Sequence, residues 1–252
     1  MSMPTQLTAL SLDNLTFPHP EMALDEPEGL LAIGGDLSPT RLLNAYHHAI
    51  FPWFSEGEPI LWWSPKQRAV ISPQQVHISK SMAKFIRNMP FTISVNRCFS
   101  AVVDACALPR KTQAETWISP AIKQAYQALH ALGHAHSIEV WHEEQLVGGL
   151  YGVNVGAIFC GESMFHQQSN ASKVAFIALC QHFGAQGGQL IDCQMMTPHL
   201  ASLGVTANHR DDFLQQLTQH RNTTLPKTCW QPKTLHLCAT PDNHTITNNK
   251  TK

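Results

Sequence analysis

The chain has 252 residues, of which 43% are hydrophobic, and its formal net charge at pH 7 is −1. This size and apolar content are typical of a globular protein with one large domain or two small ones. A net charge near zero excludes a surface that is basic throughout, so an anionic partner would need a local basic patch. The seven cysteines contain no CxxC pair, which argues against a disulfide framework or a zinc site and favours a reducing compartment. We see no signal peptide and no bilayer-length apolar run, so we expect a cytoplasmic protein.

The first quarter of the chain predicts a strand, a helix and a cluster of aromatic residues. The β-prone run 30–33 ends in a glycine turn. Ser38 is a favourable N-cap followed by proline, so a helix should run to about Ala49. The segments Phe51-Pro-Trp-Phe54 and Leu61-Trp-Trp-Ser-Pro65 then concentrate aromatic side chains. Such a concentration indicates a core or domain interface, or alternatively a shaped apolar pocket.

A second amphipathic helix is predicted over residues 77–89. At about 100° per residue, its apolar face collects Ile78, Met82, Phe85 and Met89. The opposite face carries three basic side chains and no acidic one, which indicates either a phosphate-binding surface or an ordinary solubilising surface. We call these three residues the basic stripe: Lys80, Lys84 and Arg87.

The remaining elements outside the centre of the chain are read from the same periodicities. Strands are expected at 68–71 and 91–95, helices at 99–107, 120–132 and 214–220, and an extended closing segment at 227–238.

Residues 137–194 form the centre of the chain. Three β-prone runs separated by turn residues predict an antiparallel meander over 137–162. The stretch 163–170 looks too polar for a strand. A helix should follow from Asn170 to Phe183, and a fourth strand is expected at 190–194. The order is therefore β-β-β-α-β.

Carboxylate and amide groups lie where such a unit would open into a cleft. In an extended strand, Asp192 and Gln194 should project to one side, and Ile191 and Cys193 to the other. The alternative is that Asp192 and Gln194 are only the polar face of an edge strand. Glu162 ends the preceding strand, and the glycine before it permits a bulge, which leaves its direction open.

The other chemically active side chains indicate no further site. The fifteen histidines are scattered, and none has carboxylate or thiol partners at ligand spacing, so no metal site is predicted. Cys160 and Cys193 fall inside predicted strands, where a buried apolar role is the expectation.

Seven segments together resemble the bacterial leucyl/phenylalanyl-tRNA–protein transferases, in family order and over about residues 17–235. The resemblance implies an α+β fold in which a small N-terminal α/β domain (1–65) precedes a GNAT-like domain, similar to acyl-CoA N-acyltransferases, with a mixed sheet (66–235). Residues 236–252 are expected to form a disordered tail. The segments are Phe51-Pro-Trp-Phe54, Leu61-Trp-Trp-Ser-Pro65, Gly133-His-Ala-His-Ser-Ile-Glu-Val-Trp141, Gly148-Gly-Leu-Tyr-Gly152, Phe159-Cys-Gly-Glu-Ser-Met-Phe165, Asn170-Ala-Ser-Lys173 and Leu190-Ile-Asp-Cys-Gln194.

The resemblance also implies an activity. Members of this family move leucine or phenylalanine, and methionine less well, from aminoacyl-tRNA to the α-amino group of proteins that begin with arginine or lysine, which marks the product for N-end rule degradation. An aminoacyl ester is already activated, so no cofactor is expected. One alternative is a coenzyme A-dependent N-acyltransferase of the same fold. The absence of glycine from 163–169, where a pyrophosphate loop would lie, disfavours it. Another alternative is a non-catalytic RNA-binding module.

Residue roles follow from the resemblance as expectations. Asp192 should polarise the acceptor amine, Gln194 should orient it, and Glu162 should meet the acceptor's charge or the donor's amino group. The proton should leave either with the help of Asp192 or through the ribose hydroxyl of the substrate. The basic stripe should contact the tRNA acceptor stem. Trp53 and Trp117 should stack near the terminal adenosine, and the donor side chain should be surrounded by Leu150, Phe159, Met164, Phe176, Leu179 and Ile191.

Overall fold

A computed structural model of the chain describes residues 7–109 and 116–240. Two β-sheets and seven α-helices make up the described part. The helices are α1 (Pro39–His47), α2 (Lys80–Asn88), α3 (Phe99–Cys106), α4 (Pro120–Ala131), α5 (Ala171–Ala185), α6 (Pro198–Ala201) and α7 (Arg210–His220). The strands are β1 (Thr8–Leu10), β2 (Leu30–Gly34), β3 (Phe51–Pro52), β4 (Leu61–Trp63), β5 (Gln67–Ile71), β6 (Phe91–Val95), β7 (Ala135–His142), β8 (Gln145–Val155), β9 (Ile158–His166), β10 (Leu190–Gln194), β11 (Thr206–His209) and β12 (Lys233–Leu235).

The smaller sheet has four strands in the order β1-β2-β4-β3, and α1 follows β2 in the chain. Helix α1 begins as predicted, because the Ser38 hydroxyl accepts a hydrogen bond from the Arg41 amide and a proline occupies the first turn. Tyr46, near the end of α1, is buried against the larger part of the molecule. This position becomes important for the candidate site.

The larger sheet has eight strands in the order β11-β5-β10-β9-β8-β7-β6-β12. Strands β7, β8 and β9 form the antiparallel meander expected from the turn residues. Helix α5 then crosses over, so that β10 pairs in parallel with β9 and antiparallel with β5. The β-β-β-α-β order and the α+β class with a mixed sheet are therefore confirmed. Strand β10 lies inside the sheet, so the edge-strand alternative is wrong.

Helix α5 packs tightly on the sheet because it is apolar nearly all round. A Cβ atom added to Gly148 would lie 2.5 Å from the Ala171 side chain, so the glycine permits the close approach of the helix to β8. The helix begins after Asn170, as predicted. Asn170 adopts a left-handed conformation with φ 68°, and its side chain makes no capping hydrogen bond. The predicted last residue, Phe183, is wrong, since the helix continues to Ala185.

Other predicted boundaries also need correction, including the last helix, which begins at Arg210 and not at residue 214. The stretch after Glu162 looks too polar for a strand, but β9 continues to His166. Pairing with β8 from Gly148 to Tyr151 satisfies its backbone groups there. The amphipathic helix α2 is shorter than predicted, and its buried residues are Met82, Ala83 and Ile86.

Residues 236–240, the start of the predicted tail, lie against α5. The Cys238 amide donates to Gln181 Oε1 over 2.8 Å, and Gln181 Nε2 donates back to the Cys238 carbonyl over 2.8 Å. The rest of the predicted tail, 241–252, lies outside the described residues.

One apolar cluster joins the two sheets. Leu42 and Trp62 from the smaller sheet's side belong to the same buried cluster as Tyr126 and Tyr151 from the larger sheet's side. The boundary at residue 65 stays a prediction, although the two sheets do divide at that point in the chain. None of the described helices is long and apolar enough to cross a membrane.

Candidate active site

A cavity of about 590 Å³ opens between β8, β9, β10 and α5, and we call it the central cavity. Its floor is apolar, and its polar end carries the side chains of Glu162 and Gln194. Glu162 lies in the middle of β9 and Gln194 ends β10, and the parallel pairing of the two strands places these residues side by side. The combination of an apolar cavity with a few convergent polar groups is typical of a small-ligand site.

The Glu162 carboxylate is held by two hydrogen bonds. Gln194 Nε2 donates to Glu162 Oε1 over 2.7 Å, and the Tyr126 hydroxyl donates to Glu162 Oε2 over 2.7 Å. Burial raises the pKa of Glu162 to about 7, and the nearby Asp192 charge acts in the same direction, whereas the hydrogen bonds lower it. Glu162 can therefore change its protonation state near neutral pH, which is a property expected of an acid–base group.

Two tyrosines form a hydrogen-bonded chain that ends at Glu162. The hydroxyls of Tyr46 in α1 and Tyr126 in α4 are 2.5 Å apart. Because the Tyr126 proton points to Glu162, Tyr46 is the donor of this bond. Burial raises the pKa of both tyrosines well above the ordinary value, and the Glu162 charge adds to it, so both phenols stay protonated. The smaller sheet's helix thus contributes directly to the electrostatics of the cavity.

Asp192 faces away from the central cavity, contrary to the alternation expected for β10. A register shift separates Asp192 from Gln194, and Gln194 has a left-handed φ of 63°. The bulge turns Gln194 into the cavity beside Ile191 and Cys193, which are also cavity residues. The expectation that Asp192 and Gln194 share one side is therefore wrong.

Asp192 is instead completely buried in an ion pair with Arg68 of β5. Arg68 Nε donates to Asp192 Oδ1 over 2.8 Å, and Arg68 Nη2 donates to Oδ2 over 2.7 Å. Asp192 Oδ1 also accepts the Gln194 amide over 2.9 Å, which holds the bulge in place. Asp192 therefore contacts the cavity-lining residue Gln194 through the Gln194 backbone.

The buried Arg68 guanidinium makes further contacts besides the ion pair. Its Nη1 donates to the Ala49 carbonyl over 3.0 Å, and its Cζ lies 4.8 Å from the ring centroids of Phe51 and Phe213. Burial alone would lower the pKa of Arg68, but the Asp192 carboxylate raises it above the usual value, so the guanidinium stays charged.

Most residues expected around the donor side chain and the adenosine do meet in the central cavity. The one exception is Phe159, which is fully buried and packs against Trp230 and against Phe183 of α5. Its ring occupies the space beside Gly152, where an added Cβ would lie 2.6 Å from it. The predicted residues that line the cavity are Trp53, Trp117, Leu150, Glu162, Met164, Phe176, Leu179, Ile191 and Gln194.

The basic stripe is exposed along α2, as predicted, and none of its three residues lines the central cavity. Arg87 Nη1 donates to the Ala239 carbonyl over 3.3 Å. The stripe is therefore a surface feature whose role in tRNA binding stays a prediction.

Three supporting residues were missed from the sequence: Arg68, Tyr46 and Tyr126. Arg68 gave one usable signal, since a charged residue in the apolar run 68–71 of a predicted strand requires a buried partner. The tyrosines lie in predicted helices, and only the tertiary structure brings them together, 80 residues apart in sequence.

A larger cavity of about 680 Å³ lies near the start of β7 and the end of β8. Its described lining residues include His130, His134 and His136 but no carboxylate. Burial lowers the pKa of His136 to about 3, and His130 contributes, so this ring is neutral. Because this cavity lacks a paired acid beside an apolar floor, the central cavity is the better candidate for catalysis. Among the described residues, no group of His, Cys, Asp and Glu is arranged to hold a metal ion.

Comparison with known proteins defines the class as aminoacyl-tRNA-dependent transferases. The family model described as "Leucyl/phenylalanyl-tRNA protein transferase" matches residues 70–218, and the model of that family's N-terminal domain matches residues 35–66. The leucyl/phenylalanyl-tRNA–protein transferase of Psychromonas ingrahamii is 54% identical over 93% of this chain and 99% of its own length. That of Yersinia enterocolitica is 55% identical over 92% of this chain and 97% of its own length. The chain therefore belongs to the leucyl/phenylalanyl-tRNA–protein transferase family.

Among solved structures, similarity is low. A conserved protein of unknown function from Staphylococcus epidermidis is 9% identical, with a TM-score of 0.39, over 71% of this chain and 68% of its own.

Proposed function

We propose that the protein transfers leucine or phenylalanine, and methionine less well, from aminoacyl-tRNA to the α-amino group of proteins that begin with arginine or lysine. Membership of the family supports the reaction type. The observation that carries the site assignment is the hydrogen-bonded pair of Glu162 and Gln194 at the polar end of an apolar cavity. The products would be marked for N-end rule degradation.

The apolar floor supports the choice of donor amino acid. Leucine, phenylalanine and methionine side chains gain about 0.8 kcal/mol for each methylene group that they bury against such a floor. Phe176 and Leu179 lie about one turn apart on α5, and both contribute to it. Trp53 and Trp117 at the cavity wall provide flat surfaces for the terminal adenosine of the tRNA.

The reaction needs a deprotonated acceptor amine, and the ribose oxygen that leaves must be protonated. Glu162, whose pKa is about 7, takes a proton from the acceptor's ammonium group. The free amine then attacks the ester carbonyl, the C–N bond forms, the C–O bond to the ribose breaks, and an amine proton passes to the ribose oxygen. A glutamine is not a base at neutral pH, so Gln194 orients the amine. Asp192 has a positioning role, because it holds the Gln194 amide and Arg68.

The proposal also includes the division into two domains, the absence of a cofactor, the tRNA contact surface and the cellular location. A small domain over 1–65 and a GNAT-like domain over 66–235 fit the division into two sheets. The activated ester removes the need for a cofactor, and the basic stripe is the proposed contact for the tRNA acceptor stem. A cytoplasmic location fits the seven free cysteines.

One experiment separates the three candidate functions. The purified protein is incubated with labelled Leu-tRNA or with labelled acyl-coenzyme A, each with a peptide that begins with arginine. Transfer of labelled leucine from the tRNA to the peptide is the expected result. Transfer only from coenzyme A would support an ordinary N-acyltransferase, and tRNA binding without any transfer would support an RNA-binding module.

A further inference from the structure

A smaller cavity of about 190 Å³ adjoins the central cavity, and we call it the side cavity. Trp53 and Met195 belong to the walls of both cavities. Met195 directly follows Gln194, and consecutive Cα atoms lie about 3.8 Å apart. The side cavity therefore opens next to the groups proposed to handle the acceptor amine. Its other walls include Glu28, Phe51, Trp63, Gln67 and Met196.

Glu28 is the carboxylate of the side cavity. Its Oε1 accepts the Lys66 backbone amide over 3.0 Å, which fixes the side chain in place. Its Oε2 has no hydrogen bond or ion pair with any residue that the structure describes. Of the nearby cations, Lys66 Nζ pairs with Asp25, whereas Arg210 donates to the Ser64 carbonyl and acts on Glu28 through its charge without a hydrogen bond between the two side chains. Glu28 thus presents a free, anchored oxygen.

The rest of the side cavity is unusually apolar for an exposed surface. Trp53, Met195 and Met196 are 40%, 42% and 40% exposed, respectively, and they lie together. Exposed large apolar groups that cluster around a cavity mark a binding surface. Indole rings attract cations, and methionine adapts to an aliphatic chain, so this wall suits a side chain with an apolar stem and a positive end.

We infer that the side cavity binds the cationic side chain of the acceptor's first residue, an inference that rests on the proposed function. The ammonium or guanidinium group pairs with Glu28 and lies against the indole rings of Trp53 and Trp63. The α-amino group of the same residue then lies beside Glu162 and Gln194. Among the described residues that line the two cavities, Glu28 and Glu162 are the only carboxylates, and no lysine or arginine is present. An uncharged first residue forms no ion pair with Glu28, and an acidic one is repelled.

Direct binding tests this inference without aminoacyl-tRNA. Calorimetry compares a tetrapeptide amide that begins with arginine with one that begins with citrulline, which has nearly the same shape but no charge. The wild-type protein should bind the arginine peptide about tenfold more tightly, and Glu28→Gln should bring the ratio close to one. Glu28→Asp keeps the charge and should retain part of the preference. Glu21→Gln is the matched control, because Glu21 is an exposed acid outside the side cavity and should keep the wild-type ratio.

Two results would overturn the inference: equal affinity of the wild-type protein for both peptides, or the wild-type ratio in Glu28→Gln. A glutamine at position 28 can still accept the Lys66 amide, so the variant should keep the fold, which thermal unfolding checks. A protein that selects arginine through Glu28 but transfers no amino acid from Leu-tRNA would refute the proposed function alone.

Discussion

Replacement of Asp192 by alanine should destabilise the protein strongly, because it leaves the Arg68 guanidinium charged and unpaired in the interior. Both side chains are essentially inaccessible to solvent, at 1% for Arg68 and 0% for Asp192. Removing one partner of such a buried pair typically costs about 3–5 kcal/mol. For a chain of this size, each kcal/mol lowers Tm by roughly 2–4 °C. The expected decrease in Tm is therefore about 6–20 °C.

Thermal unfolding followed by circular dichroism measures this effect. Asp104→Ala is the matched control, since it removes an aspartate from an exposed ion pair with Lys123, in which the two side chains are 59% and 31% exposed. Exposed pairs contribute about 0–1 kcal/mol, so the control should change Tm little. If Asp192→Ala unfolds at the wild-type temperature, the ion pair does not stabilise the fold, and a direct role of Asp192 in catalysis would be the better explanation.

The double variant Arg68→Met/Asp192→Leu provides a second check on the same reasoning. Replacing a buried ion pair with apolar residues of similar volume is often neutral or stabilising. The double variant should therefore be more stable than Asp192→Ala, yet it should transfer slowly, because the Gln194 amide has lost its acceptor. Wild-type transfer by this variant would contradict the positioning role.

Three further predictions concern the cavity and the tRNA. Because the folded protein raises the pKa of Glu162 from 4.5 to about 7, its protonated form favours the folded state, and this contribution is lost as the pH rises from about 4.5 through 7. The stability of Glu162→Gln, measured by unfolding at different pH values, should lack that pH dependence, and its transfer rate should lack the increase toward pH 7. A wild-type pH profile of the transfer rate in this variant would exclude Glu162 as the acid–base group. Changing the whole basic stripe to alanine should reduce the salt dependence of tRNA binding by about three phosphate contacts, and an unchanged slope would make the stripe an ordinary surface. Phe176→Ala should favour tryptophan over leucine as donor, whereas Leu179→Phe should penalise phenylalanine more than leucine; wild-type ratios in both would place the donor pocket elsewhere.

The sequence was sufficient for the meander and its crossover helix, because glycine-rich turns and apolar periodicity are local signals. It was insufficient at β9, where polar residues such as Ser163 and His166 remain in a strand and line the cavity. Backbone pairing with β8 decides their conformation, and no local preference encodes that pairing. Alternation also failed at the bulge, since a left-handed φ at Gln194 is unexpected for a residue other than glycine.

Contacts between residues far apart in sequence also limited how much of the candidate site could be predicted. The apolar floor could be placed from the family resemblance, but the roles of the acids could not. Asp192 and Arg68 are separated by 124 residues in sequence, and their pairing is what removes Asp192 from the cavity. Which of two nearby carboxylates faces a cavity depends on where the cation lies, and only the folded structure gives that position.

The contact between Tyr46 and Tyr126 has a consequence for protein engineering. The hydroxyl that supports Tyr126 comes from a helix in the first 65 residues, whereas Glu162 belongs to the later segment. The two segments are therefore not interchangeable modules. A chimera that takes its first 65 residues from another protein would need a phenol at the same place, or the acid would lose part of its support even if both halves folded correctly. A redesign of the surroundings of Glu162 should accordingly vary both segments together.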